Sequence, residues 1–247
     1  MYNSNSNPKL ANCVFNENST VKSNIIIEPI PSAGGGIYNY RSNTLSTDCT
    51  FIGNSASHGG GIFNFESNSI ITNCTFTANR GDYGGGITNI GCSPTLINCI
   101  LTRNGTYYSY GGGMYGGSPT LINCTISGNR AQECGGIFYS IPNMVNCIVW
   151  SNSSPQIKSR ASISYSNIQD GWLGEGNIDV DPCFVNLGYW ADANYANVVV
   201  EPNDPNAVWI DGDYHLKSQA GRWDPKSESW VIDDVTSPCI DAGDPNS

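Results

Sequence analysis

Charge is scarce in this chain. Asp, Glu, Lys and Arg make up 13% of its 247 residues, about half the ~25% of an ordinary soluble domain. Basic residues number 11 against 21 acidic ones, for a net charge of -10. A nucleic-acid partner needs clustered Lys and Arg to displace phosphate counterions, so this balance argues against one. Long apolar runs are missing as well. The longest runs, such as Cys147-Ile148-Val149-Trp150, are four residues, where a membrane-spanning helix needs ~20. No signal peptide is visible either, because Met1 is followed at once by polar residues. The polar residues are mostly Asn, Ser, Thr and Gly, a composition compatible with disorder until its periodicity is noticed.

A glycine unit returns along the chain. Gly34-Gly35-Gly36-Ile37-Tyr38-Asn39 comes back as Gly59-Gly60-Gly61-Ile62-Phe63-Asn64 and Gly84-Gly85-Gly86-Ile87-Thr88-Asn89. It recurs as Gly111-Gly112-Gly113-Met114-Tyr115-Gly116 and, eroded, as Cys134-Gly135-Gly136-Ile137-Phe138. A second unit travels with it: Asp48-Cys49-Thr50-Phe51, Asn73-Cys74-Thr75-Phe76, Asn98-Cys99-Ile100-Leu101, Asn123-Cys124-Thr125-Ile126 and Asn146-Cys147-Ile148-Val149. The cysteines at 49, 74, 99, 124 and 147 are spaced by 25, 25, 25 and 23 residues. Between Cys13 and Cys49 the spacing is 36. The extra residues are assigned to a loop or flap around residues 21–32. Met1-Tyr2-Asn3 fits the Ile-Tyr-Asn slot without its glycines, so the chain is expected to start in mid-repeat, as a piece of a longer protein.

Within each repeat, alternation predicts short strands. Thr72, Cys74 and Phe76 are expected to face inward together, and Asn73 and Thr75 outward. The Ile or Met of each glycine unit is expected inward. Five residues after each cysteine stands an Asn: Asn18, Asn54, Asn79, Asn104, Asn129 and Asn152. Stacked at the ~4.8 Å strand spacing, these side chains can bond from coil to coil. Each repeat is then one turn of a solenoid that buries its core only against its neighbours. The fold class is all-β, a single-stranded right-handed parallel β-helix with an irregular C-terminal cap. Coils of about 25 residues occupy 1–170, and residues 171–247 hold the last coil and a Trp- and Asp-rich cap region.

The Gly-Gly-Gly-Ile-Tyr-Asn and Asn-Cys-Thr-Phe units resemble the right-handed parallel β-helix repeats of secreted bacterial proteins, including polymorphic outer-membrane proteins. The tail resembles the end of β-helix proteins with a choice-of-anchor C-terminal region. It does so through Gly176-Asn177-Ile178-Asp179-Val180-Asp181-Pro182, Asp213-Tyr214-His215-Leu216 and Ser237-Pro238-Cys239-Ile240-Asp241-Ala242-Gly243. The resemblance implies an extracellular or cell-surface location and leaves the activity unassigned.

Of ten cysteines, Cys13, Cys49, Cys74, Cys99, Cys124 and Cys147 share one column. In-register neighbours ~4.8 Å apart with parallel Cβ vectors do not meet disulfide geometry. They read as buried free thiols acting as small hydrophobes. A metal ladder lacks the His or Cys-x-x-Cys pairs it would need. Cys183 and Cys239 stand in similar contexts and are a candidate pair.

Three groups are candidates for function. Tyr38, Phe63, Tyr115 and Phe138 follow the inward Ile and point outward by alternation. Exposed rings would suit sugar faces, or the rings stack on one another or lie covered. His58, Arg80, Asp82, Arg130 and Glu133 lie along one turn edge, as a catalytic rim or a solvated polar edge. Glycoside hydrolysis would need two carboxylates ~5–9.5 Å apart. Asp179, Asp181, Asp211 and Asp213 in the tail suit a structural calcium or Asx-turns. The leading expectation is a binding, adhesive or scaffold module contacting a polysaccharide or another cell-surface or matrix component. The alternatives are a polysaccharide lyase or glycoside hydrolase acting on an acidic polysaccharide, and a filament or surface-layer component that self-associates through solenoid ends or flat faces.

Overall fold

The computed structural model describes the chain apart from residues 21–31, 201–205 and 246–247. The loop expected at residues 21–32 therefore lies almost wholly outside the described residues. Three parallel sheets of seven strands each run the length of the solenoid, and successive coils are neighbours in every sheet. One coil shows the plan. Ile62–Phe65 belongs to the first sheet, Ile70–Thr72 to the second and Thr75–Thr77 to the third. Registers follow the repeat as it aligns in sequence: Ile37 pairs with Ile62, Ile62 with Ile87 and Ile87 with Met114. The fold is a right-handed parallel β-helix.

The chain does not run straight through the cysteine. Asp48, Asn73, Asn98, Asn123 and Asn146 all have φ between 52° and 55°, a left-handed conformation that Asn and Asp tolerate better than most residues. Each bends the chain between the second and third sheets and resets the alternation. The residues facing inward are therefore Ser46, Ile71, Leu96, Leu121 and Met144, all buried. Thr47, Thr72, Ile97, Ile122 and Val145, expected inward on a straight strand, are only half-buried. The cysteines and Phe51, Phe76, Leu101, Ile126 and Val149 do face inward.

Like residues stack along the interior. Phe15, Phe51 and Phe76 lie with ring centroids 4.9 and 4.6 Å apart and planes within 4°. Burying each such ring contributes about 1.5–3 kcal/mol. The Asn ladder forms as expected. Asn54 Nδ2 donates to Asn79 Oδ1 at 2.9 Å, Asn79 to Asn104 at 2.9 Å, Asn104 to Asn129 at 3.0 Å and Asn129 to Asn152 at 2.9 Å. Each Oδ1 also accepts the backbone N–H of the preceding Asn, as from Asn79 to Asn104 at 3.1 Å. Gln156 closes the row by accepting from Asn152 Nδ2 at 2.9 Å. A second ladder, which the sequence pattern did not reveal, links Asn3, Asn39, Asn64 and Asn89. It stops where Gly116 supplies no side chain, and Asn89 Nδ2 is left buried without a hydrogen bond.

The glycine runs permit close coil-to-coil approach. A Cβ on Gly60 would sit 2.4 Å from Arg80 O and 2.5 Å from Gly85 O, and backbone on both sides leaves it no room. Gly59 begins its run at φ 60°.

All ten cysteines are free thiols. In the column, Sγ donates to the carbonyl two residues back, from Cys74 to Thr72 at 3.2 Å and from Cys99 to Ile97 at 3.3 Å. Burial pushes the Cys74 thiol up to about 12. Hydrogen bonding with the Cys124 thiol, and then burial, raise Cys99 further.

Beyond the last coil the pairing becomes antiparallel. Tyr189–Asp192 lies between Tyr195–Val199 and Ala207–Ile210, Phe184–Asn186 pairs with Asp213–Leu216, and Arg222–Asp224 forms a hairpin with Ser229–Val231. Arg222 is tied to Asp233 at 2.8 Å, with both side chains mostly buried.

The ladder's contribution is measurable by substitution. Asn104→Ala removes an amide and leaves Asn79 Nδ2 and Phe76 O short of a partner, at a cost of about 3 kcal/mol. Asn143→Ala, at an exposed strand position, should cost under about 0.5 kcal/mol. Chemical denaturation of both variants measures the difference, and equal losses would contradict the ladder's role. Native alkylation near pH 8 should label Cys13, Cys183 and Cys239, which are only half-buried, and leave the column from Cys49 to Cys147 unmodified until the chain unfolds. Peptide mass mapping reads the pattern.

Candidate binding face

The outward column of the first sheet runs Tyr2, Tyr38, Phe63, Thr88, Tyr115, Phe138 and Lys158, one residue per coil. Thr88 divides it. On one side Tyr38 and Phe63 are buried, at 5% and 0% exposure, in a small second core with Ala33, Tyr40, Phe65 and Ile90. Of the two readings for these rings, open to sugar or covered, they take the second: their centroids lie 4.9 Å apart at a 46° tilt, and His58 and Phe65 close around Phe63. At the divide, the Thr88 hydroxyl turns back and donates to Tyr83 O at 2.7 Å.

On the other side the rings stay half-exposed. Tyr115 and Phe138 stack at 6.1 Å with a 17° interplanar angle, and Tyr139 lies over both at 6.0 and 6.3 Å. Tyr83 and Tyr110, which continue the column of His58 along the turn edge, join them. His58 stacks on Tyr83 at 4.9 Å, Tyr83 on Tyr110 at 5.9 Å, and Tyr110 on Phe138 at 4.7 Å. Tyr83 meets Tyr115 edge-on at 5.2 Å. Two aromatic columns, separate in sequence, thus merge into one ledge. Apart from the edge-on Tyr83–Tyr115 contact, its rings stack face to face. Tyr139 differs, being 73% exposed. Lys158 caps the ledge, with Nζ 5.7 Å from the Phe138 ring and 2.7 Å from Glu133 Oε2. Burial and then the neighbouring Tyr83, Tyr139 and Tyr110 raise the Tyr115 phenol above its usual range.

The remaining rim candidates do not gather into one site. Arg80 and Asp82 lie on Arg80–Tyr83, paired with Gly105–Tyr110. Arg130 lies under the tail, its guanidinium 5.9 Å from the Trp190 ring. Glu133 is held by Lys158. His58 and Asp82 interact: burial lowers the His58 pKa, and the Asp82 charge partly offsets that. In the tail, Asp213 Oδ1 binds His215 Nδ1 at 2.5 Å, Asp181 Oδ1 accepts Cys183 N–H at 2.8 Å, and Asp211 accepts from Thr77 at 3.5 Å. Asp179 is exposed at the start of the Asp-rich turn. Of the two readings, calcium or Asx-turns, Asp181 and Asp213 form the turns. These carboxylates serve separate turns, and no group of three or more His, Cys, Asp or Glu side chains is arranged for a metal among the described residues.

A second concavity lies at the end of the solenoid. A cleft of about 420 Å³ opens between the turns at Asn123, Asn146 and Tyr165 and the segment from Cys239 to Asp244. Asp244 N–H donates to Asn146 Oδ1 at 2.8 Å, which ties that segment to the coils.

Residues 48–64, one coil's bend and glycine unit, match the Chlamydia polymorphic membrane protein repeat. The chain is a parallel β-helix repeat protein, and one of its repeats is similar to that family's. Residues 187–243 match a second family, described as Disaggregatase related. No curated protein and no solved structure matches the chain. Among the described residues, no helix is long and apolar enough to cross a membrane. The antiparallel tail carrying the second match packs on the repeats through Trp190 and Asp211.

The His58 environment gives a pH prediction. Its folded pKa lies below the ordinary 6.5, so the unfolded chain takes up the proton first as pH falls. Between 6.5 and the lower folded value the unfolded state holds more protons, and stability falls with acidification. In His58→Gln that part of the pH dependence should vanish. Melting temperatures of both proteins between about pH 7.5 and 5 test this, and an unchanged slope would rule it out.

Proposed function

We propose that this chain is a surface-exposed module that holds a glycan along the ledge formed by Tyr83, Tyr110, Tyr115, Phe138 and Tyr139, in an adhesive or scaffold role. The observation that carries the reading is the split at Thr88. The outward aromatic column is covered on one side and left half-exposed across consecutive coils on the other. Rings already stacked on one another lose little further freedom on binding. Their hydroxyls form a fixed row for sugar hydroxyls, and Tyr139 adds an apolar ring face. The Lys158–Glu133 pair leaves the local charge balanced, and the net charge of -10 disfavours a polyanion. A neutral or weakly charged chain fits better.

The Disaggregatase related match in the tail favours a second reading, in which the module also cleaves the polymer it holds. His58, Asp82 and Arg80 are then the groups to test.

Affinity electrophoresis against neutral and acidic polysaccharides, with product ends monitored in parallel, decides between them. Tyr115→Ala and Tyr139→Ala should each weaken binding about 3- to 10-fold, the equivalent of ~0.5–1.5 kcal/mol of aromatic contact. Tyr139→Ala should leave the melting temperature unchanged. Binding indifferent to both substitutions would overturn the assignment of the ledge. Release of reducing or unsaturated ends that is lost in Arg80→Ala would establish the second reading.

A further inference from the structure

The tail holds two thiols in a setting unlike the buried column. Cys183 and Cys239 are half-buried and stand beside one serine. Ser237 Oγ donates to Pro182 O at 2.7 Å, the carbonyl of the peptide leading into Cys183, and accepts from Cys239 N–H at 3.1 Å. Lys217 ties the same strands a second time. Its N–H donates to Cys183 O at 3.0 Å, and its carbonyl accepts from Ser237 N–H at 2.9 Å. Burial raises the Cys239 thiol, and the nearby Cys183 adds to that. Each sulfur has a light hold on its surroundings: Asn167 Nδ2 donates to Cys239 Sγ at 3.1 Å, and Cys183 Sγ faces its own turn at Asp181 O.

We infer that Cys183 and Cys239 are a redox clasp, whose disulfide fastens the C-terminal segment over the end of the solenoid. That segment forms one wall of the 420 Å³ cleft and is otherwise held to the coils by contacts such as the one between Asp244 and Asn146. In the closing step one thiolate attacks a small-molecule disulfide such as oxidised glutathione and releases one glutathione thiolate. The second cysteine thiolate then displaces the other glutathione, so an S–S bond forms between the residues and two reduced glutathiones leave. A surface location is the oxidising side on which such a bond persists. Cys49, Cys74, Cys99 and Cys124 do not compete, because they are buried within the solenoid and their thiol pKa values are raised.

The test treats the full chain under native conditions with oxidised glutathione, blocks remaining thiols and maps peptides without reduction. The expected product is one cross-linked pair, Cys183 to Cys239, lighter by two hydrogens, in most of the molecules. Trypsin nicking at the exposed Lys226 should then release the C-terminal fragment from the reduced protein and leave it attached in the oxidised one. In Cys183→Ser, Cys239 should instead retain glutathione as a mixed disulfide. Separate glutathione adducts on both cysteines of the unaltered chain, persistent free thiols, or a cross-link to any other cysteine would each overturn the inference. The unaltered chain alone decides the matter, even if the variant fails to fold.

Discussion

A buried asparagine amide must fill its donors and acceptor, and in this solenoid the asparagine one coil along fills them. Asn54, Asn79, Asn104 and Asn129 each bond to the next member through side chain and backbone together. Left unpaired, such groups would cost about 1–3 kcal/mol each. The ladder therefore fixes register as well as adding stability, because a coil shifted by one residue would leave a buried amide facing an apolar side chain. The phenylalanine stack and the glycine runs obey the same register. Phe51 lies over Phe76, and Gly60 approaches Gly85 and Arg80 so closely that no side chain could replace its hydrogen.

That register also builds the outer face. Aromatic residues recurring at one position of the repeat are brought one strand spacing apart, and they stack outside the solenoid as the phenylalanines stack within it. Most ring faces on the ledge are used within the protein, and the ring of Tyr139 protrudes. Thr88 interrupts the column and separates a sealed aromatic cluster around Phe63 from the open ledge around Tyr115. The two halves share a sequence pattern and differ in chemistry through their surroundings.

The cysteines show the same dependence on surroundings. In the column, thiols such as Cys74 and Cys99 are small apolar fillers bonded to carbonyls, and burial keeps the Cys74 thiol protonated. In the tail, antiparallel pairing and the Ser237 bridge bring together two thiols separated by much of the tail's length. Solvent can reach both.

The period, the inward Ile and Phe positions, the first Asn ladder and the free thiol column were all legible in the sequence. They depend on like residues recurring at a fixed interval, and a parallel solenoid converts that interval directly into contact. The sharp bend at Asn73 was not legible, because alternation alone does not mark a single left-handed residue; its Asn or Asp identity was the available clue. The covering of Tyr38 and Phe63, the merging of His58, Tyr83 and Tyr110 with Tyr115 and Phe138, and the dispersal of Asp179, Asp181, Asp211 and Asp213 were decided by tertiary structure. Those outcomes turn on which segment lies against which coil, and the tail lacks the repeat that would have written its neighbours into the sequence.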